Sequence, residues 1–138
     1  MTNESLIEIF LNHCAVERGL SKNTIAAYRR DLGKFNDFLK ASRLEIRELN
    51  ATHIYEFSAG LRKSGLSDSS IARHVVAVRS LFTFLAKDQG IADVAREVVP
   101  PKIPRRLPKA LTISEVEDLI NANGDDVAGI RNRALIEL

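Results

Sequence analysis

The chain has 138 residues, 45% of them hydrophobic, and a formal net charge of +2. That length bounds it to one domain, or one domain and a piece of another, and the apolar share suffices for a core. Charges break every apolar run before it reaches the length of a membrane span, and Met1-Thr2-Asn3-Glu4-Ser5 lacks the basic-then-apolar layout of a signal peptide.

In chain order, the first helical pattern covers Glu4 to Glu17, with Leu6, Ile9, Phe10, His13 or Cys14, and Val16 on its apolar stripe. Cys14 reads as a small core residue. As the only cysteine it excludes an internal disulfide, which suits a reducing cytoplasm. Gly19 ends this helix. The second opens at Ser21 as N-cap and runs to about Ala41 on the stripe Ile25, Tyr28, Leu32, Phe35, Phe38 and Leu39; Lys22, Asn23, Arg29, Arg30, Asp31 and Lys34 make its other face. The third follows Asn50-Ala51-Thr52, with Thr52 and Glu56 close to a capping arrangement, apolar positions Ile54, Tyr55, Phe57, Ser58 and Leu61, and an end at Lys63-Ser64-Gly65. The fourth opens at Ser67 and runs to about Lys87, with Ile71, Val75, Val78, Leu81, Phe82 and Leu85 toward the core and Arg73, Ala77 and Ser80 opposite. Gly90 closes it, and residues 91–97 form at most one short turn.

The prolines of Pro100-Pro101-Lys102-Ile103-Pro104 then stop any helix, and Pro108 holds Leu107 extended. Residues 98–111 carry Lys102, Arg105, Arg106 and Lys109 and no acid, a basic linker. Helical signal resumes at Thr112 or Ser114 on Val116, Leu119 and Ile120, stops at Asn121-Ala122-Asn123-Gly124, and returns as an amphipathic segment from Gly129 to Leu138 that looks cut in mid-helix. No period-2 strand pattern occurs. The expectation is an all-α chain: four helices in two hairpins over 1–97, a basic Pro-rich linker over 98–111, and a helical stub of a second domain over 112–138.

The chain also repeats itself. Gly19-Leu20-Ser21-Lys22-Asn23-Thr24-Ile25-Ala26 returns as Gly65-Leu66-Ser67-Asp68-Ser69-Ser70-Ile71-Ala72. Two helices thus enter from the same turn with polar N-terminal halves, and two matched helix N-termini suit a polyanion. Other chemistry lacks a handle. His13, His53 and His74 are too scattered to be metal ligands and read as helix-boundary residues. The glycines fit neither a P-loop nor a dinucleotide pattern. Asp125-Asp126 beside Gly124 is turn chemistry. No catalytic site, metal, cofactor or small-molecule ligand is expected.

Duplex DNA is the partner these helices suit, since a helix in the major groove sets its N-terminal half against bases and phosphates. Ser21, Lys22, Asn23, Thr24, Tyr28 and Arg30 are the suitable groups of the second helix; Ser67, Ser69, Ser70, Arg73 and His74 are those of the fourth. The plainer alternative leaves Ser21 and Ser67 as caps, Arg29, Arg30 and Arg73 as solvated charges, and Tyr28 as packing. A rival of another class is a non-enzymatic helical protein-interaction module, which has no need of a basic linker or of Arg30 and Arg73 on one face.

Leu20-Ser21-x-Asn23-Thr24-x-x-x-Tyr28-Arg29-Arg30-Asp31-Leu32 resembles the second helix of the core-binding domain of tyrosine recombinases. Ser69-Ser70-x-x-Arg73 with Val78-Arg79-Ser80-Leu81-Phe82-x-x-Leu85 resembles its fourth. Pro101-Lys102-x-Pro104-x-Arg106-Leu107-Pro108-Lys109-x-Leu111-Thr112 is similar to the linker into the catalytic domain, and Arg131-Asn132-Arg133-Ala134-Leu135 to the first helix of that domain. The likeness is strongest to Xer-type recombinases, nearer the XerD-like than the XerC-like branch.

The resemblance implies a SAM-like core-binding domain, half of a C-shaped clamp on DNA, in a cytoplasmic protein that recombines or integrates DNA with partner recombinase subunits and serves chromosome dimer resolution at cell division. It implies DNA contacts from Lys22, Asn23, Thr24, Ala27 and Arg30 on the second helix and from Ser69, Ser70, Arg73 and Ala77 on the fourth, the alanines as close-approach positions. Arg105, Arg106 and Lys109 would track the backbone. Arg79 reads as a structural ion pair in preference to a DNA contact. The family's catalytic arginines, lysine, histidines and nucleophilic tyrosine have no counterpart here, so this chain is expected to bind DNA without cutting it.

Overall fold

The computed structural model describes residues 1–103 and 113–121. The chain divides into two compact units, Met1–Ile103 and Pro104–Leu138, so the division falls inside the stretch expected as linker. In the first unit lie α1 (Asn3–Val16), α2 (Lys22–Ser42), a 3-10 turn (Ile46–Glu48), α3 (Ala51–Lys63) and α4 (Asp68–Asp88). The second unit contributes α5 (Ile113–Asn121). There is no strand among the described residues, and the chain is all-α. Arg105, Arg106, Lys109 and the Gly129–Leu138 segment lie outside the described residues.

Each helix of the first unit starts on a side-chain cap. Thr2, Ser21 and Ser67 accept from the amides of Ser5, Thr24 and Ser70 at 3.2, 3.2 and 3.3 Å. At α3 the cap is Asn50, not Thr52. Asn50 accepts from the His53 amide, and His53 Nδ1 accepts from the Asn50 amide at 3.1 Å, a reciprocal pair made two residues before Thr52, which is already inside the helix. The repeated Gly-Leu-Ser turns match in geometry as well as sequence. Gly19 and Gly65 sit at φ of 59° and 89°, where only glycine is unstrained. The leucine after each packs against the core, and the serine caps the next helix.

α4 is the central helix and packs against α1, α2 and α3. Around it Phe10, Leu32, Phe35, Ile54, Phe57, Leu81, Phe82 and Leu85 form one hydrophobic core, each worth about 1.5–3 kcal/mol on burial. Phe57 meets Phe35 edge to face at 5.1 Å. Cys14 is wholly enclosed. Burial pushes its thiol up against the opposing bond and charge of Arg18, which makes it a poor nucleophile. After α4, a hydrogen-bonded turn at residues 94–97 brings Ala95 and Val98 back onto the core.

Five expected placements are corrected. Val16 is 82% exposed because the stripe of α1 runs through Leu6, Ile7, Phe10, Leu11 and Cys14. Tyr55 is half exposed, its hydroxyl accepting from the Val99 amide at 3.3 Å. Asp31, His74 and Ala77, expected on outer or boundary positions, are buried at 2%, 2% and 0% exposure. Of the two polar ones, Asp31 is bonded by Arg73 and His74 by the Ser70 carbonyl, as set out below.

Polar ties join distant segments. Asn3 donates to the Leu44 carbonyl and accepts from the Ile46 amide, both at 2.9 Å. Arg29 pairs with Glu8 and Lys40 with Glu4, binding α2 to α1. Arg29 is therefore not the free surface charge that the sequence suggested.

Candidate nucleic-acid interface

The N-terminal halves of α2 and α4 lie side by side and leave an open groove of about 630 Å3 between them. Asn23, Thr24 and Ala27 form its α2 wall and Ser69 and Arg73 its α4 wall. Five of the nine expected contact residues in the first unit are thus brought to one concavity. Lys22 and Arg30 are exposed on α2 but do not line it. Ser70 is half-buried, its amide and hydroxyl engaged by Ser67.

Ala77 does not belong to this face. With no exposed surface it is part of the core, so no duplex can approach it. The expectation put it opposite the stripe Ile71, Val75 and Val78, but α4 is contacted by three helices, and its buried arc is wide enough to take in Ala72, His74 and Ala77.

Arg73 is held across the groove floor. Its Nε donates to Asp31 Oδ2 at 2.9 Å and its Nη2 to Oδ1 at 3.0 Å. This two-bond fork fixes the plane of the guanidinium. Two of five donors are used, and the side chain is still 57% exposed, so its outer edge faces solvent in a set orientation. Behind the pair, His74 Nδ1 donates to the Ser70 carbonyl at 2.6 Å, while Nε2 stands 3.4 Å from Asp31 Oδ1 without hydrogen-bonding alignment.

Sequence reasoning missed four groove residues: Asp31, Ala72, Val76 and Ile103. Tyr28 lines the groove and also packs on Phe10 at 5.8 Å, so the two readings of it are both met. Arg79 is corrected as well: among the described residues no carboxylate pairs with it. Nor do the described residues include a cluster of His, Cys, Asp or Glu able to hold a metal ion, or a helix long and apolar enough to cross a membrane.

A groove between two capped helix starts, walled by small polar side chains and one oriented arginine, has the shape and chemistry for a nucleic-acid backbone and base edges. Comparison with known proteins decides the family: the model of the phage integrase N-terminal SAM-like domain matches residues 7–89. The chain belongs to the phage integrase family. Tyrosine recombinase XerD of Corynebacterium glutamicum is 41% identical over 144 residues, which cover 96% of this chain and 47% of that protein. Tyrosine recombinase XerC of a Roseiflexus species is 40% identical over 136 residues, covering 96% and 44%. Tyrosine recombinase XerD of Haemophilus influenzae is 36% identical over 140 residues, covering 100% and 47%. The chain spans about half the length of the curated relatives it matches. The family match runs from within α1 to the end of α4, so it takes in both walls of the groove.

Proposed function

We propose that this chain is the duplex-binding portion of a Xer-type site-specific tyrosine recombinase. Residues 1–97 form its core-binding domain, 98–111 its basic linker and 112–138 the start of its catalytic domain. The whole protein recombines DNA in the cytoplasm with partner recombinase subunits, and its cellular task is chromosome dimer resolution at division. The observation that carries the reading is the gathering of Asn23, Thr24, Ala27, Ser69 and Arg73, from helices far apart in sequence, on one groove. Lys22 and Arg30 add contacts from α2, and Arg105, Arg106 and Lys109 of the linker contact the DNA backbone. The chain by itself lacks the family's nucleophile and phosphate-stabilising residues, so it binds without cleaving.

The test is a salt titration of binding to a duplex, with Ala27→Glu as the comparison. Each phosphate contact contributes about 0.9 to the slope of log K against log salt. The parent chain should show a slope of several units, and a carboxylate at position 27 should abolish binding while leaving the thermal midpoint in place. Absence of salt-dependent binding by the parent would sink the reading in favour of a protein-docking module. A covalent protein–DNA product on a nicked suicide substrate would sink the non-cleaving part alone.

A further inference from the structure

A second cavity, of about 590 Å3, lies between the C-terminal end of α1 and the rest of α4. Arg18, Arg79 and Lys87 line it together with Ser80, Thr83, Phe10 and Phe84. The Thr83 hydroxyl donates to the Asp93 carboxylate at 3.4 Å, the one acid bonded to a lining side chain besides Glu17 among the described residues. Among the described residues none of these three cations has a carboxylate within ion-pair distance. The remaining titratable group of the lining, His13, is already paired with Glu17 at 2.9 Å. Three like charges around one hollow repel one another, and a bound anion removes that repulsion.

We propose that this cavity is a second DNA-backbone site, which takes the phosphates of the strand flanking the groove that α2 and α4 enter. The inference rests on the reading of the α2–α4 groove as a duplex site. Two observations select a duplex over an acidic peptide. First, the cavities are neighbours on α4: Val76, 46% exposed, lines both. Arg73, Val76, Ser80, Thr83 and Lys87 recur at the three- and four-residue spacing of one helix face. Second, α4 is too long for the groove. At about 1.5 Å per residue the run from Arg73 to Lys87 spans about 21 Å, while a major groove is about 12 Å wide. A helix whose N-terminal half sits in the groove carries its C-terminal half over the neighbouring phosphates, and that half bears Arg79 and Lys87. Asp88, outside the cavity and at the end of α4, marks where the basic face stops.

The experiment measures duplex binding against salt for the parent chain, for Arg79→Gln with Lys87→Gln, and for Arg18→Gln alone. Glutamine keeps the packing of the stem while removing the charge. Arg47→Gln, on the 3-10 turn and outside both cavities, is the control. The double variant should lose about two units of slope and Arg18→Gln about one, at about 0.9 per phosphate, with thermal midpoints at the parental value and the control unchanged. Parental slopes in the double variant and in Arg18→Gln, with the parent still binding and Ala27→Glu still defective, overturn the second site and assign its cations to an acidic protein partner. A parent chain that binds no duplex overturns both this inference and the reading it rests on. Arg18 is exposed and lies outside α4, so its variant decides the matter even if the double variant is unstable, once a parental thermal midpoint shows that losing the Arg18 contact with Cys14 leaves the fold intact.

Discussion

The Arg73 guanidinium and the Asp31 carboxylate face each other edge to edge, joined by hydrogen bonds of 2.9 and 3.0 Å between α4 and α2. The two ends are unequal: Asp31 is buried and Arg73 is mostly in solvent. Removing the arginine strands a buried charge, whereas removing the carboxylate's charge leaves a cation that water can solvate. Arg73→Ala should therefore cost about 3 kcal/mol and Asp31→Asn about 1–2 kcal/mol. The double variant should be less destabilised than the sum of the singles. Chemical denaturation of the four proteins measures this, and strict additivity would remove the pair as a unit. The same asymmetry makes Arg73→Ala a poor probe of DNA contact, because folding and binding change together.

Ala77 separates core from interface. A leucine there has no space to enter, and overpacking a filled core costs about 1–3 kcal/mol, or about 4–8 °C of melting temperature per kcal/mol in a domain of this size. Ala77→Leu should lower the melting temperature, whereas Ala27→Leu, at the half-buried groove wall, should leave it nearly unchanged. Equal melting temperatures would return Ala77 to the surface.

Glycines of two kinds predict opposite signs. An added Cβ meets nothing within 4 Å at Gly65 or at Gly33, so backbone conformation alone decides. Gly65 sits at φ of 89°, and Gly65→Ala should cost about 1–2 kcal/mol. Gly33 lies inside α2 with ordinary helical φ, and Gly33→Ala should stabilise by about 0.5–1 kcal/mol. A loss at position 33 or a gain at position 65, read from urea midpoints, would contradict this.

The Glu4–Lys40 contact sets an acid limit. The hydrogen bond from Lys40, then its charge, then a bond from Asn36, hold the Glu4 carboxyl below its ordinary range, and Glu4 in turn raises Lys40. A depressed carboxylate contributes stability above its unfolded pKa and loses it as pH falls through the folded one. The raised lysine contributes below its unfolded pKa and loses it as pH rises through the folded one. Both groups are exposed, so the effect is small. Between about pH 5 and pH 3, around the carboxylate range, the parent's melting temperature should fall more than that of Glu4→Gln. Superimposable curves would remove the contact from the stability account.

Much of the fold was legible because helix chemistry is local. Ser21 and Ser67 announce two helix starts, and the stripes of α2 and α4 follow from spacing. The misplacing of Asp31 and His74 has one cause, that side-chain polarity masks the helical period. Tyr28, Asp31, Phe35 and Phe38 fall three and four apart, as do Ile71, His74, Val78 and Leu81, so periodicity by itself puts Asp31 and His74 inside. What no single-helix pattern contains is the partner across the fold. Asp31 is tolerable in the interior only because Arg73 arrives from another helix, and Val76 and Ile103 join the groove only through tertiary placement. The capping pair of Asn50 and His53 was missed for a different reason: histidine at that position does the work usually given to glutamate or glutamine.

The tie of Asn3 to Leu44 and Ile46, that of Asp31 to Arg73, and that of Tyr55 to Val99 each close a loop of 41 to 44 residues. The three loops overlap along the chain, so each one ends inside the next. The doubled sequence suggests two hairpins that could open separately, but no cut through the chain frees one hairpin without severing a loop that reaches into the other. Opening should therefore be concerted. In native-state hydrogen exchange, the amides in the middle of α2 and of α4 should be released by the same global event, with nearly equal free energies and equal sensitivity to denaturant. The unit that is written as two copies should thus behave as one foldon.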